Sequence, residues 1–295
     1  MVRQPGLNAV LIVKIALLTA LHFAGAAHSQ QTFPQRIITL APHLTEIVAA
    51  AGGADRLVAV SAYSNSPDSV KNLPITSDAR SVDLEKMKQL RPDLIIYWRG
   101  GTSEGQIESI KKIFLQSLLT KQVQVIAVEP KKLDDIAKDI EMVGKLLGTE
   151  NVANKNAHQL RSDIAELKSL YQNPHKRNVR VFYQVWAQPL MTLNQDHLIG
   201  NIIQICGGEQ LFAQEKLLVP TVSRESVIKA NPEIIFTAVD SQRMKTDWSI
   251  WSAVPQLAAT QKKAFIDLDG DTISRASPRI MQGVKKICAE IDRVR

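Results

Sequence analysis

Residues 101–105 carry the pattern of a hydrolase nucleophile. Gly101-Thr102-Ser103-Glu104-Gly105 fits G-x-S-x-G, with an apolar run before it and a helical pattern after it. Such a site needs Ser103, then an acid, then a late histidine to take the serine proton. His197 is the last histidine, and the two strands expected after it contain none. A five-residue pattern with small residues is also easily met by accident. Ser103 is therefore expected on a turn after a strand, with no histidine in hydrogen-bond reach. Metal ligation is no better supplied. His43, His158, His175 and His197 are scattered, and Cys206 and Cys288 form no C-x-x-C. There is no Walker A loop and no G-x-G-x-x-G turn to cradle a phosphate. These residues give no catalytic set, no cofactor and no metal, and an exported serine hydrolase using Ser103 stays as the alternative.

The N-terminus and the cysteines point to where the chain works. Arg3 and Lys14 flank an otherwise uncharged start, and the apolar run from Ile15 to Ala27 is too short to span a bilayer comfortably. Small residues follow as far as Ser29, so residues 1–29 read as a secretory signal cleaved near Ser29. No cysteine lies nearby to carry a lipid. In an exported chain an even cysteine count predicts one disulfide, Cys206–Cys288. It would pin the final helix to the helix ending at Cys206, with Cα atoms within about 7 Å. Closing that loop contributes about 4.5 kcal/mol in the chain-entropy account. Removing residues 1–29 lowers the formal charge from +7 to +5. The remaining cations are interspersed with acids, with no basic stripe, so no nucleic-acid partner is expected.

The elements behind these residues alternate. The 295 residues are 45% hydrophobic and 22% charged, enough for two lobes of ordinary size. Strands are expected at Arg36–Leu40, Leu57–Val60, Asp93–Tyr97 and Val123–Val128, with helices at Thr45–Ala51, Leu84–Gln89, Glu104–Leu119 and Leu133–Leu147. The second half gives strands at Val179–Gln184, Glu233–Thr237 and Ala264–Leu268, with helices at Leu198–Cys206, Glu225–Ala230 and Ser277–Val294. Between them Leu160, Ile164, Leu167 and Tyr171 recur at three or four residues without Gly or Pro, predicting one long helix across Asn151–Gln172. The expected fold is α/β, two similar lobes joined by that helix. The divisions are 30–150, 151–173 and 174–295. A repeat supports the likeness: Glu85 precedes Pro92 by seven residues, Glu225 precedes Pro232 by seven, and an acid and a buried strand follow each proline.

Blocks along the chain resemble a known family. Ile38-Thr39-Leu40-Ala41-Pro42-His43-Leu44-Thr45-Glu46-Ile47-Val48 looks like the opening of the helical-backbone periplasmic binding proteins of ABC importers. Val60-Ser61-Ala62-Tyr63-Ser64, Tyr97-Trp98-Arg99-Gly100-Gly101, Ile205-Cys206-Gly207-Gly208-Glu209, Val222-Ser223-Arg224-Glu225 and Arg275-Ala276-Ser277-Pro278-Arg279 narrow it to the vitamin B12-binding branch. The resemblance implies a corrinoid trap without turnover, monomeric when free, which delivers to a permease dimer. It implies a ligand cleft between the lobes and places Pro42, His43, Tyr63, Trp98, Asp271 and Arg275 against the ligand, with Trp186 and Tyr183 adding aromatic surface. Broad apolar faces and a few polar groups suit a corrin ring. Glu85 and Glu225 would meet arginines of the two permease subunits. Ala79, Val219 and Thr272 stand where relatives carry pocket aromatics, which leaves haem or a ferric siderophore as the alternative ligand. His43 stands at a small-residue position of some relatives, as a rim hydrogen bonder or helix cap, or as a metal ligand.

Overall fold

The computed structural model describes residues 33–115, 123–172, 175–239 and 246–295; the expected signal at 1–29 lies outside them. Short branched-apolar runs form the first sheet: β1 (Ile37–Thr39), β2 (Leu57–Ser61), β3 (Ile75–Ser77), β4 (Leu94–Trp98) and β5 (Gln124–Val128). They pair in parallel in the order β3-β2-β1-β4-β5. Helices α1 (Pro42–Ala50), α2 (Leu84–Gln89), α3 (Glu104–Phe114) and α4 (Leu133–Leu147) connect and follow them. One helix, α5 (Glu150–Tyr171), then carries the chain towards a second sheet.

That second sheet repeats the first. It contains β6 (Val179–Gln184), then, past a small antiparallel hairpin of β7 (Trp186–Ala187) and β8 (Leu190–Met191), β9 (Gly208–Gln210), β10 (Ile234–Val239) and β11 (Phe265–Asp269). Helices α6 (Leu198–Ile205), α7 (Arg224–Ala230), α8 (Ser249–Ser252), α9 (Ala258–Gln261), α10 (Gly270–Ile273) and α11 (Ile280–Val294) complete it. The order β9-β6-β10-β11 matches β2-β1-β4-β5 strand for strand, again all parallel. The α/β class and the likeness of the two halves, expected from the sequence, are therefore present.

Alternation along the strands sorts the cores. Ile38, Ile95 and Tyr97 pack on one face of the first sheet; Phe182, Ile235 and Phe265 do so in the second. The opposite faces, including Ile37, Ile96, Val181 and Phe236, join α1, α4, α5, α6 and α11 in one continuous apolar cluster. Each such buried aliphatic or aromatic side chain contributes about 1.5–3 kcal/mol. Helix α5 enters it through Ala153, Ala157, Leu160, Ile164 and Leu167, a three-four stripe down one side. It lies along α4, and Arg161 bonds Asp134 (2.9 Å) and Glu141 (2.9 Å through Nη2) on that neighbour. Cys206 and Cys288 are bonded, Cα atoms 4.5 Å apart, tying the end of α6 to α11.

Some boundaries differ from expectation. Helix α1 begins at Pro42, three residues before the expected start, because proline suits the first helical turn. Helix α11 begins at Ile280, not Ser277, because Ser277 turns its hydroxyl to Glu46. The end expected for α3 at Leu119 falls outside the described residues.

Candidate functional site

Both parallel sheets end at the same opening. The cleft has a volume of about 620 Å³, and its walls include Trp98 at the end of β4, Glu129 and Pro130 past β5, Tyr183 near the end of β6 and Ala238 in β10. Carboxyl ends of parallel strands are where open α/β sheets bind ligands. A smaller hollow of about 160 Å³ lies on the first half, between Pro42, Tyr63, Ala79 and Trp98. Trp98 lines both. Its indole rests on Gly100 and Gly101: a Cβ on Gly101 would lie 2.1 Å from Trp98 Cε3. That explains the glycine pair after the tryptophan.

His43 sits on the second residue of α1, 6% exposed, its ring edge-on to Trp98 at 5.2 Å. Burial first, and the Arg275 charge second, lower its pKa to about 4. It is neutral at neutral pH, and Nε2 has no hydrogen-bond partner among the described residues. His197 lies in the same cleft, and the sequence reading did not place it there. It caps α6, the counterpart of α1; Nδ1 accepts from the Ile199 amide (3.1 Å), and burial lowers its pKa. Since Nδ1 accepts, the neutral ring carries its proton on Nε2. Tyr183 is buried, and burial raises its phenol pKa.

The other expected residues are placed differently. Tyr63 is 82% exposed with φ +66°, at the rim of the smaller hollow. Trp186 is exposed on the β7–β8 hairpin, its Nε1 donating to Gln188 O (2.8 Å), and it lines neither hollow. Neither do Asp271 and Arg275. Arg275 is 8% exposed and donates to Glu46 (3.2 Å), Asn65 Oδ1 (2.7 Å), the Tyr63 carbonyl (3.0 Å) and Asp271 (2.6 Å). Asn65 Nδ2 donates to Asp271 (2.7 Å), and Arg279 donates to Glu46 (2.8 Å). These polar groups bond across the two halves instead of facing the opening. Val219 lines the cleft beside Leu218, and Thr272 turns its hydroxyl to Asp269 O (3.0 Å).

Ser103 caps α3. Its hydroxyl accepts from the Gln106 amide (3.4 Å), and Gln106 Oε1 accepts from the Ser103 amide (3.0 Å). Among the described residues no histidine bonds it. Glu85 and Glu225 are both exposed and both second in their helices, α2 and α7, after the caps Asp83 and Ser223. Glu85 pairs with Lys88 (3.2 Å), and hydrogen bonds from its own amide and from Ser223 lower the pKa of Glu225.

Residues 37–272 match the periplasmic binding protein family. The chain belongs to that family. Among its relatives, the vitamin B12-binding protein of Vibrio cholerae is 31% identical over 279 residues, 95% of this chain and 97% of that one. The protein of the same name from Pectobacterium carotovorum is 30% identical, covering 93% of each. The crystal structure of the Vibrio cholerae periplasmic vitamin B12-binding protein superposes with a TM-score of 0.77 at 32% identity, over 88% of this chain and 98% of that one. A periplasmic haem-binding protein of Roseiflexus superposes with a TM-score of 0.75 at 20% identity over 88% and 99%, a likeness of fold alone.

Proposed function

We propose that this periplasmic binding protein captures cobalamin or a related corrinoid in the cleft and delivers it to the permease of an ABC importer, without chemical turnover. The observation that carries the reading is a roomy cleft, walled by Trp98 and Tyr183 at the carboxyl ends of both sheets, on a chain 31% identical along nearly its whole length to proteins named for vitamin B12. Pockets of roughly 300–1,000 Å³ with aromatic walls and few polar groups suit large, largely apolar ligands. Pro42, His43, Tyr63 and Trp98 supply the first half's surface for it, and Tyr183, Val219 and Leu218 the second half's. Glu85 and Glu225, one per half, fit a two-fold permease. The work is periplasmic, after removal of residues 1–29, and the free protein is a monomer.

A haem or ferric chelate is the second reading. The neutral imidazole of His43, its Nε2 without a hydrogen-bond partner among the described residues, favours it, since neutral histidine is a common metal ligand. One experiment separates them. Purified protein is mixed with cyanocobalamin, haem or a ferric siderophore and desalted, and its visible spectrum is recorded. Cyanocobalamin should co-elute. Co-elution of haem or siderophore alone would replace the corrinoid reading.

A further inference from the structure

The polar side chains on the wall of the large cleft are few. Glu129 and Lys131, just ahead of α4, come from the first half, and Asp196 and His197, just ahead of α6, come from the second. The two helix starts adjoin: Asn201 Oδ1, one turn into α6, lies 3.5 Å from the Leu133 amide at the head of α4. Lys131 is the one cation among the described lining residues, and it is shared with Glu129 at 3.6 Å. Asp196 is exposed, and no cation pairs with it among the described residues. The His197 ring is fixed by its place in the chain. Nδ1 takes the Ile199 amide, so the proton sits on Nε2, and burial keeps the ring neutral. That N–H meets no acceptor among the described residues.

We propose that Asp196 and His197 form a reader of primary carboxamides, so that the cleft takes a corrinoid with amidated rim and turns away ligands whose rim bears carboxylates. This rests on the corrinoid reading of the cleft. An ionised carboxylate only accepts, and the remaining N–H of His197 only donates. Side by side they complement a primary amide, whose oxygen takes the imidazole N–H while its NH2 gives to Asp196. A carboxylate in the same place gains one donor and faces a like charge, and the Asp196 oxygens are left without a donor. A site built to hydrogen-bond one group rejects the analogue that leaves its own polar atoms unpaired. The donor cannot be reversed cheaply. Turning the ring to offer an acceptor would give up the cap of α6, worth about 1 kcal/mol. The rim of cyanocobalamin carries carboxamides and that of haem carries propionates, so the pair favours the first.

The test uses the mature chain, cyanocobalamin, and a set of its monocarboxylic acids, each with one rim carboxamide hydrolysed. Affinities are read by titration calorimetry at neutral pH. The wild type should bind at least one acid about tenfold more weakly than cyanocobalamin, the size of one lost hydrogen bond to a charged group. Asp196→Asn replaces the carboxylate by an amide that can also donate, at an exposed position. It should bring that acid to within about twofold of cyanocobalamin. His197→Asn keeps a side-chain cap for α6 and withdraws the far N–H, and it should weaken cyanocobalamin about fivefold. Equal binding of every acid by the wild type would overturn the proposal. So would an Asp196→Asn protein that discriminates as the wild type does, or a His197→Asn protein of full affinity. In each of these cases cyanocobalamin still binds and the corrinoid reading stands. A wild type that retains haem and no cyanocobalamin would remove that reading and the carboxamide reader with it.

Discussion

At single residues, electrostatics and sterics make separable claims. Trp98 is 39% exposed, part of two hollows, and seated on two glycines. Trp98→Ala should weaken cyanocobalamin binding by about 1–3 kcal/mol, as for a central aromatic contact. Gly101→Ala should do part of the same by displacing the indole; unchanged affinity in both, read by titration calorimetry, would put the ligand elsewhere. Two buried titrating groups set a second test. His43 stays neutral down to about 4, whereas unfolded it takes its proton near 6.5. Its contribution to stability is whole above pH 6.5 and falls as pH drops towards 4. His197, also lowered by burial, adds in the same direction. Asp139 does the reverse. Burial, then the Asp135 charge, raises it to about 7 from 3.8, so its contribution is whole below pH 3.8 and is lost as pH rises to 7. Between pH 4 and 6.5 the histidine slopes and the Asp139 slope oppose one another. In denaturant midpoints across that range, stability should rise more steeply with pH in Asp139→Asn than in the wild type, and less steeply in His43→Gln. Parallel curves for all three proteins would show that neither group titrates as its surroundings require.

At the scale of elements, close approach decides more than propensity. Helices α4 and α5 nearly touch at Gly144, where a Cβ would lie 2.1 Å from that of Ala153. Gly→Ala inside a helix ordinarily stabilises by about 0.5–1 kcal/mol. Gly144→Ala should instead destabilise by about 1–3 kcal/mol, because an extra methyl forces packed backbones apart. Thermal unfolding reads the sign, and a stabilised variant would mean that the helices separate freely. The same packing explains what was legible in the sequence. Helices α4, α5 and α11 bury stripes at three- and four-residue spacing, long enough for the period to show. Strands β3 and β9 have three residues each and the β7–β8 strands two, too few to display any period. Pairing to neighbours creates them. The proline at the head of α1 lies ahead of the start expected at Thr45 and serves as the first helical residue.

Across the whole molecule, the two halves share one core, one bridging helix and one polar clamp. Pro42, Tyr63 and Trp98, singled out by the resemblance, line the hollow of the first half. The partners of Arg275 were not legible. Glu46 is 229 residues away and Asn65 is 210, and no pattern in a single sequence reports such a meeting. A helix without Pro or Gly resists bending. Free and cyanocobalamin-bound forms should therefore differ by roughly a few degrees of rotation between halves, and a closure of tens of degrees in scattering would contradict the bridge. The molecule's internal repeat makes the last prediction. Glu85 and Glu225 hold the same helical position in matching units, after caps of the same kind. A carboxylate there is favoured by the helix dipole alone, by about 0.3–1 kcal/mol, so one such residue needs no partner. Two, exposed and one per half, present a pair of charges to a two-fold partner, and bidentate arginine contacts would set its register. Exposed charges of this kind govern encounter rate and salt dependence more than ligand capture. Substituting both by Ala should leave cyanocobalamin affinity unchanged, slow delivery to permease in vesicles, and flatten the salt dependence of docking. If the double variant docks and delivers as the wild type does, the pair serves its helices alone.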